Sequence, residues 1–133
     1  RYHYPPEAIV VGAYVPLAQQ PVEYMEIDII IHDAKHYPFI LAAVEMPQTY
    51  EQNKDEHIRK LFGAASALKR KQESLLRGRM SEGGLQYLMY YTRWYDGETR
   101  KTLQVIVDYS RHQTFSMWQK AGRPTVVDIP KNQ

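Results

Sequence analysis

Residues 22–47 have the sequence VEYMEIDIIIHDAKHYPFILAAVEMP, which contains two strand patterns with a turn between them. In Val22–His32 the side chains alternate with a period of two, which predicts a strand whose odd-numbered isoleucines face the core and whose even positions, Asp28 included, face the other way. Asp33–Pro38 begins with Asp and ends with Pro, as turns often do. Phe39–Met46 is almost wholly apolar, which is typical of a strand covered on both faces. Together they predict an antiparallel hairpin.

The rest of the chain contains further strand patterns and one long helix pattern. From Asp55 to Leu76, apolar side chains recur every three or four residues, as in an amphipathic helix. Further strands are predicted at Ile9–Val15, Leu85–Tyr95, Thr102–Tyr109 and Thr114–Gln119, with an edge strand at Thr125–Ile129. This order predicts one α/β domain over residues 1–133, with a central mixed sheet and the long helix on one face.

The composition is that of an ordinary globular domain and excludes several kinds of site. The 133 residues include no cysteine, which excludes disulfides, zinc–thiolate sites and cysteine nucleophiles. The absence of cysteine fits an intracellular protein, and we expect a cytoplasmic location. No apolar run reaches the roughly 20 residues that a membrane span needs, and no signal peptide is visible, so we expect no membrane association.

The charged residues nearly balance, except in one segment. The net charge of +2 comes from 17 basic and 15 acidic side chains, which is too small to indicate a nucleic-acid-binding protein. A local basic cluster consists of Lys69, Arg70, Lys71, Arg77 and Arg79. It is either a solvated helix end, where the helix dipole favours cations, or an edge that contacts phosphates.

Asp28 and Glu45 are candidate ligands of a divalent metal. A hairpin with its turn near Lys35 brings them roughly opposite each other on rigid backbone. Mg²⁺ binds to carboxylate and carbonyl oxygens, so the backbone carbonyl of Met46 is a further candidate ligand. Glu45 ends a run of residues without another charge, and a carboxylate there is costly unless it is paired, hydrogen-bonded or bound to a metal. The alternative is that Asp28 is only a strand residue facing solvent.

Several segments of the chain resemble a known family. They are Tyr4–Ile9 (YPPEAI), Glu26–Ile31 (EIDIII), Pro38–Glu45 (PFILAAVE) and the polar stretch that leads into the helix. They resemble the nuclease-type domain at the N-terminus of the restriction subunits of type I restriction enzymes, in the restriction-endonuclease-like superfamily. The resemblance implies a restriction-endonuclease-like fold and Mg²⁺-dependent hydrolysis of DNA phosphodiester bonds. Asp28 matches the family's first acid, Glu45 matches the second, and Glu7 is a weaker match to an N-terminal acid.

The sequence departs from this family's pattern after the second acid. The family has a lysine two places further on, where this chain has Pro47, and the family's helical glutamine is not evident where Arg59 and Lys60 lie. The family's lysine stabilises charge on the attacked phosphate. Either Lys60 has taken over that role, or the site has lost catalysis and the domain serves as a DNA- or protein-binding or assembly module. Expected partners are DNA and other subunits or domains of a restriction system.

Two other patterns carry less information. His32, His36 and His57 do not have the spacing of a known zinc site and are expected on the surface or in turns. Aromatic residues cluster in one predicted strand, which favours a half-buried sheet face or, alternatively, a platform for bases or a partner. These residues are Tyr87, Tyr90, Tyr91, Trp94 and Tyr95.

Overall fold

The computed structural model describes residues 4–17, 23–34, 36–76, 84–96 and 99–129. The main elements, in chain order, are β1 (Ile9–Leu17), β2 (Glu23–His32), β3 (Pro38–Val44), α1 (Tyr50–Leu76), β4 (Tyr87–Asp96), β5 (Thr99–Asp108) and α2 (Phe115–Lys120). Short 3-10 turns at Pro6–Ala8 and Pro47–Thr49 precede β1 and α1. Within the described residues, no helix is long and apolar enough to cross a membrane.

The strands form a mixed sheet in the order β1-β2-β3-β4-β5 over the described part of the chain. β3 and β4 are parallel, with Ile40 opposite Tyr87, and the other neighbouring strands are antiparallel. A parallel pair needs a long crossover connection, and α1 provides it. Because side chains of α1 are buried with those of the sheet, the predicted α/β fold with a central mixed sheet and a long helix on one face is confirmed.

β2 and β3 form the predicted antiparallel hairpin, with Ile29 opposite Ala42. At the turn, the backbone N–H of Asp33 donates to the carbonyl of Tyr37 at 2.8 Å. The Asp33 carboxylate in turn accepts from the N–H of Tyr37 at 3.0 Å. This bond between the Asp33 side chain and the backbone of the turn explains why an aspartate follows directly after β2.

Both faces of β2 are covered, which corrects the expected division of its isoleucines. Ile27 and Ile30 are both buried in the cluster beneath α1. Ile29 and Ile31 are partly buried and pack against a second cluster. The prediction that the odd-numbered isoleucines alone face the core is therefore wrong, because a strand covered on both faces has no single core side.

A backbone irregularity beside Asp28 explains why Ile27 and Ile30 reach the same cluster. The neighbours of Gly12 in β1 pair with the neighbours of Asp28 in β2, but these two residues are not themselves partners among the described pairs. Gly12 has a φ of +72°, a conformation that glycine adopts readily and other residues rarely do. The regular alternation of side chains is therefore interrupted at Asp28.

α1 is a 27-residue helix that begins at Tyr50, before the predicted start at Asp55. Pro47 opens the turn that leads into it, and the N–H of Thr49 donates to the carbonyl of Met46 at 3.1 Å. Proline suits the first position of a helical turn because its fixed φ matches that conformation. The predicted apolar face is confirmed, since its residues are buried or pack against the core: Ile58, Leu61, Phe62, Ala65 and Leu68.

The predicted strand at Thr114–Gln119 is wrong, because this segment forms the helix α2. The hydroxyl of Thr114 caps it by accepting from the N–H of Met117 at 3.1 Å. Phe115 and Trp118, one helical turn apart, both pack on Phe62 of α1 with ring centroids 6.1 Å away. Aromatic residues are common in strands, but here the cap and the packing against α1 determine the conformation.

The remaining strand predictions have mixed outcomes. β1, β4 and β5 confirm the strands predicted at Ile9–Val15, Leu85–Tyr95 and Thr102–Tyr109. The edge strand predicted at Thr125–Ile129 is wrong, since no strand forms within the described residues of that segment. Its backbone makes one hydrogen bond to β5, from the N–H of Val126 to the carbonyl of Ile106 at 2.8 Å. The segment contacts the sheet through buried side chains and not through a ladder of backbone hydrogen bonds.

Replacement of the cap residue tests the assignment of α2. Thr114→Ala should lower the free energy of unfolding by about 1 kcal/mol, because the N–H of Met117 loses its acceptor. Ser116→Ala, at an exposed position inside the same helix, is the control and should stay within about 0.5 kcal/mol of wild type. Urea unfolding measures both variants, and equal effects would contradict the capping role.

Candidate functional site

Asp28, Glu45 and Lys60 line one cavity of about 280 Å³ at the end of β3. Its other lining residues are Glu26, Ala43, Val44 and His57. Asp28 comes from β2, Glu45 follows β3 directly, and Lys60 belongs to α1. The structure therefore brings together the three side chains that were predicted to act together. Met46 does not line the cavity, and its carbonyl is already the acceptor of the Thr49 N–H.

Asp28 is held in place by the neighbouring strand. The ladder between β2 and β3 ends at the pair Ile29–Ala42. Beyond that pair, Oδ2 of Asp28 accepts a hydrogen bond from the backbone N–H of Val44 at 2.7 Å. A side-chain oxygen thus takes the position of a main-chain acceptor. Among the described residues no donor bonds to Oδ1, so this oxygen is available to a ligand.

Glu45 accepts hydrogen bonds from Met46 and Asn53 and lies beside His57. Its Oε1 accepts from the backbone N–H of Met46 at 2.7 Å, and its Oε2 accepts from Nδ2 of Asn53 at 2.8 Å. Nδ1 of His57 lies 3.5 Å from the same Oε2, and only 14% of the Glu45 side chain is exposed. The bond from Asn53 lowers the pKa of Glu45 most, followed by the bond from Met46. Glu45 is therefore an anion held in one orientation.

Asn53, His57 and Lys60 lie at successive turns of α1 and so share one face of the helix. The first two contact Glu45. Nζ of Lys60 instead lies 3.2 Å from Oε1 of Glu56, one turn earlier in the helix. Exposed pairs of this kind contribute little free energy, so the ammonium group can leave Glu56 at small cost.

The role of Asn53 was not predicted from the sequence. Asn53 comes before the predicted helix start at Asp55, so it was not expected to share a face with His57. The signal that identifies it is the spacing of residues 53, 57 and 60, which follows the helical period once α1 is extended back to Tyr50.

Two buried tyrosines form the wall behind His57. The ring of Tyr90 packs edge-on against His57 at 5.6 Å and stacks on Tyr50 at 4.7 Å, and its hydroxyl donates to the Tyr50 carbonyl at 2.7 Å. Burial raises the pKa of Tyr50 to about 12, and it raises the pKa of Tyr90 together with the charge of Glu45. Both phenols are therefore neutral near neutral pH and act as packing groups.

The predicted aromatic platform is only partly described. Tyr90 is 1% exposed and presents no surface for bases. Tyr87 and Tyr91 are partly buried against the second core cluster, as expected for a half-buried sheet face. The side chains of Trp94 and Tyr95 lie outside the described residues.

The other candidate residues lie elsewhere. His32, His36 and Glu7 line a second cavity of about 320 Å³ beside the β2–β3 turn. His57 lines the first cavity, so the three histidines do not converge. Glu7 likewise does not join Asp28 and Glu45.

The chemistry of the first cavity can be compared with what a divalent metal needs. Among the described residues, no group of three or more His, Asp or Glu side chains could hold a metal ion. Mg²⁺, however, is commonly held by one or two carboxylates and keeps several water ligands. Asp28 and Glu45 supply two carboxylates to the lining of one cavity.

No protein-family model and no curated protein matches the chain. The resemblance to restriction subunits therefore remains a prediction based on the short motifs around Asp28 and Glu45.

Removal of the Asn53 amide tests what holds Glu45. Asn53→Ala should raise the pKa of Glu45 towards its usual value, and His57→Ala should raise it less, because the charge of His57 has the smallest effect. A lowered pKa stabilises the folded state above the unfolded-state pKa, and this stabilisation is lost as the pH falls through the folded-state pKa. In Asn53→Ala this stabilisation should be smaller, and its loss should be complete at a higher pH than in wild type.

The measurement is a titration of the Glu45 side-chain carbon by NMR in each variant. Gln52→Ala, the exposed neighbour of Asn53 on α1, is the matched control and should leave the Glu45 pKa unchanged. An unchanged Glu45 pKa in Asn53→Ala would show that the amide does not orient the carboxylate.

Proposed function

We propose that the cavity at the end of β3 binds Mg²⁺ and that the domain hydrolyses phosphodiester bonds of DNA. The observation that supports this proposal is the meeting of Asp28, Glu45 and Lys60, from three separate elements, in one cavity. Catalytic and binding side chains commonly project from the ends of strands in this way, although a fold alone does not establish an activity. The motif resemblance to restriction subunits adds to the proposal.

Asp28 and Glu45 would hold the metal. Each carboxylate oxygen can accept two partners, and among the described residues Oδ2 of Asp28 and Oε1 of Glu45 have one hydrogen-bond donor each, so both acids keep lone pairs for a metal ion. A bound Mg²⁺ supplies activation of a water molecule and offsets charge on the phosphate. The bonds from Val44 and Asn53 fix the two carboxylates before any metal arrives, which is the arrangement that supports tight binding.

Lys60 would stabilise negative charge on the attacked phosphate. In this chain the position two residues after Glu45 belongs to Pro47, which starts the turn leading into α1. The helix that follows carries Lys60 into the cavity lining. In this proposal α1 supplies the cation near the scissile phosphate, and Pro47 starts the turn that leads into α1.

A second candidate function is that of an inactive binding or assembly module. Three carboxylate oxygens of Asp28 and Glu45 already accept bonds from protein groups, and Lys60 is paired with Glu56. These contacts favour the interpretation that the site keeps its structure but does not catalyse hydrolysis. Under either proposal the expected partners are DNA and other parts of a restriction system, and the expected location is the cytoplasm.

Metal binding and DNA cleavage together distinguish these functions. Wild-type protein should bind Mn²⁺ and Mg²⁺ in calorimetric titrations and nick plasmid DNA, and the double variant Asp28→Asn, Glu45→Gln should do neither while remaining folded. Asp128→Asn, an exposed acid outside the cavity, is the control and should behave as wild type. Metal binding without nicking would favour the inactive module, and absence of metal binding in wild type would overturn the metal site.

Lys60→Ala separates charge stabilisation from metal binding. This variant should lower the nicking rate by about 100-fold or more, as loss of a group that stabilises transition-state charge does. Its affinity for Mn²⁺ should remain that of wild type, because Lys60 contacts neither carboxylate. Lys54→Ala, one of the other lysines of α1, is the matched control and should retain activity. A nicking rate unaffected in Lys60→Ala would remove Lys60 from the site.

A further inference from the structure

The two outer strands of the sheet differ in how their free edges are protected. Over the described part of the chain, β1 and β5 lie at the two edges of the sheet. An edge strand presents a row of backbone N–H and C=O groups without partners, and proteins commonly protect it with charged side chains or a covering segment. β5 has both forms of protection. It contains Arg100 and Lys101, and the N–H of Val126 donates to the carbonyl of Ile106.

β1 has neither form of protection within the described residues. It pairs with β2 on one side, and no described backbone group bonds to its other side. Residues 8–22 contain no charged residue, although 24% of the residues in the whole chain are charged. The outer edge of β1 is therefore an uncharged row of hydrogen-bonding groups.

The side chains of β1 add apolar surface to this edge. Ile9, Val10, Val11 and Tyr14 are exposed, Val11 to 76% and Tyr14 to 69%. Single exposed apolar side chains are normal on a protein surface, but neighbouring ones on an unprotected edge strand favour contact with another chain. We define the open edge as Ile9–Val15.

The open edge is long enough to pair with another strand. At about 3.3 Å per residue it spans about 23 Å, which is the length of an ordinary strand. It ends before Pro16, which has no N–H to donate and is typical of edge strands. Gly12 interrupts the edge once, but the ladder between β1 and β2 continues on both sides of Gly12, so one irregular position does not prevent pairing.

A strand of a second copy of this chain fits the open edge. Only an extended backbone matches its row of donors and acceptors. Like charges directly opposite each other destabilise paired strands, and two copies of the open edge oppose no charges at all. A peptide that is recognised by its charge, in contrast, finds no charged side chain on this edge to bind.

Pairing between two open edges also limits the assembly to two chains. Identical strands related by a two-fold axis run antiparallel, and both copies contribute the same residues to the interface. The opposite edge of each sheet is β5, which is protected by charge and by the segment around Val126. Growth of the sheet beyond a dimer is therefore disfavoured.

We propose that the open edge pairs with the open edge of a second copy, so that two sheets join through an antiparallel pair of β1 strands. The partner on this surface is thus the chain itself. The proposal does not depend on metal binding or hydrolysis, because no residue of the open edge lines the cavity at the end of β3.

Sedimentation velocity tests the proposal over protein concentrations from about 1 μM to about 1 mM. Wild type should change from monomer to dimer as the concentration rises. Val11→Lys should raise the dissociation constant of the dimer at least about tenfold, because it places a lysine of each copy at the shared edge. Circular dichroism checks that the variant is folded.

The matched control is Val127→Lys, which makes the same substitution at a valine that is 89% exposed and lies outside the strands. It should leave the dissociation constant within about twofold of wild type, as surface substitutions away from an interface do. A wild type that remains monomeric at the highest concentration contradicts the proposal, and so do equal effects of the two lysine variants.

Amide hydrogen exchange identifies the strand that pairs. Amides of the open edge should exchange more slowly above the dissociation constant than below it, because pairing gives them acceptors. Amides of β5 should exchange at the same rate at both concentrations. Concentration-dependent protection of β5 in place of β1 would show that the opposite edge forms the interface, and the proposal would then be wrong.

Discussion

The burial of β3 on both faces is the constraint on which the rest of the structure depends. Five consecutive residues of this strand, Phe39–Ala43, are buried, so the sheet needs a layer on each side. α1 supplies one layer and is also the crossover that lets β4 pair in parallel with β3. The buried run stops at Val44, which is exposed, and Glu45 follows directly with a largely buried side chain. The cavity therefore lies at the end of β3, because the run of buried residues stops there.

α1 has two roles that depend on the same helical period. Its apolar face fills the core, while Asn53, His57 and Lys60 project from the edge of that face towards the end of β3. Further along, Lys69 meets the turn after β5 through Gln113.

Hydrogen bonds, and not burial alone, hold the carboxylates of Asp28 and Glu45 in position. Val44 holds one oxygen of Asp28, and Asn53 with Met46 holds the two oxygens of Glu45. Such bonds stabilise the charged form of a carboxylate and restrict its orientation. The same bonds are compatible with a metal ligand and with a purely structural acid.

The sequence by itself determined the features that arise from local periodicity. The period of two in β2, the apolar run of β3 and the helical period after Asp55 correctly predicted an α/β fold, and the hairpin placed Asp28 and Glu45 near each other. The tertiary structure decided the rest. It converted Thr114–Gln119 into a helix, covered both faces of β2 and joined Glu45 to Asn53. These outcomes depend on contacts between residues distant in sequence, whose free energies no local pattern contains.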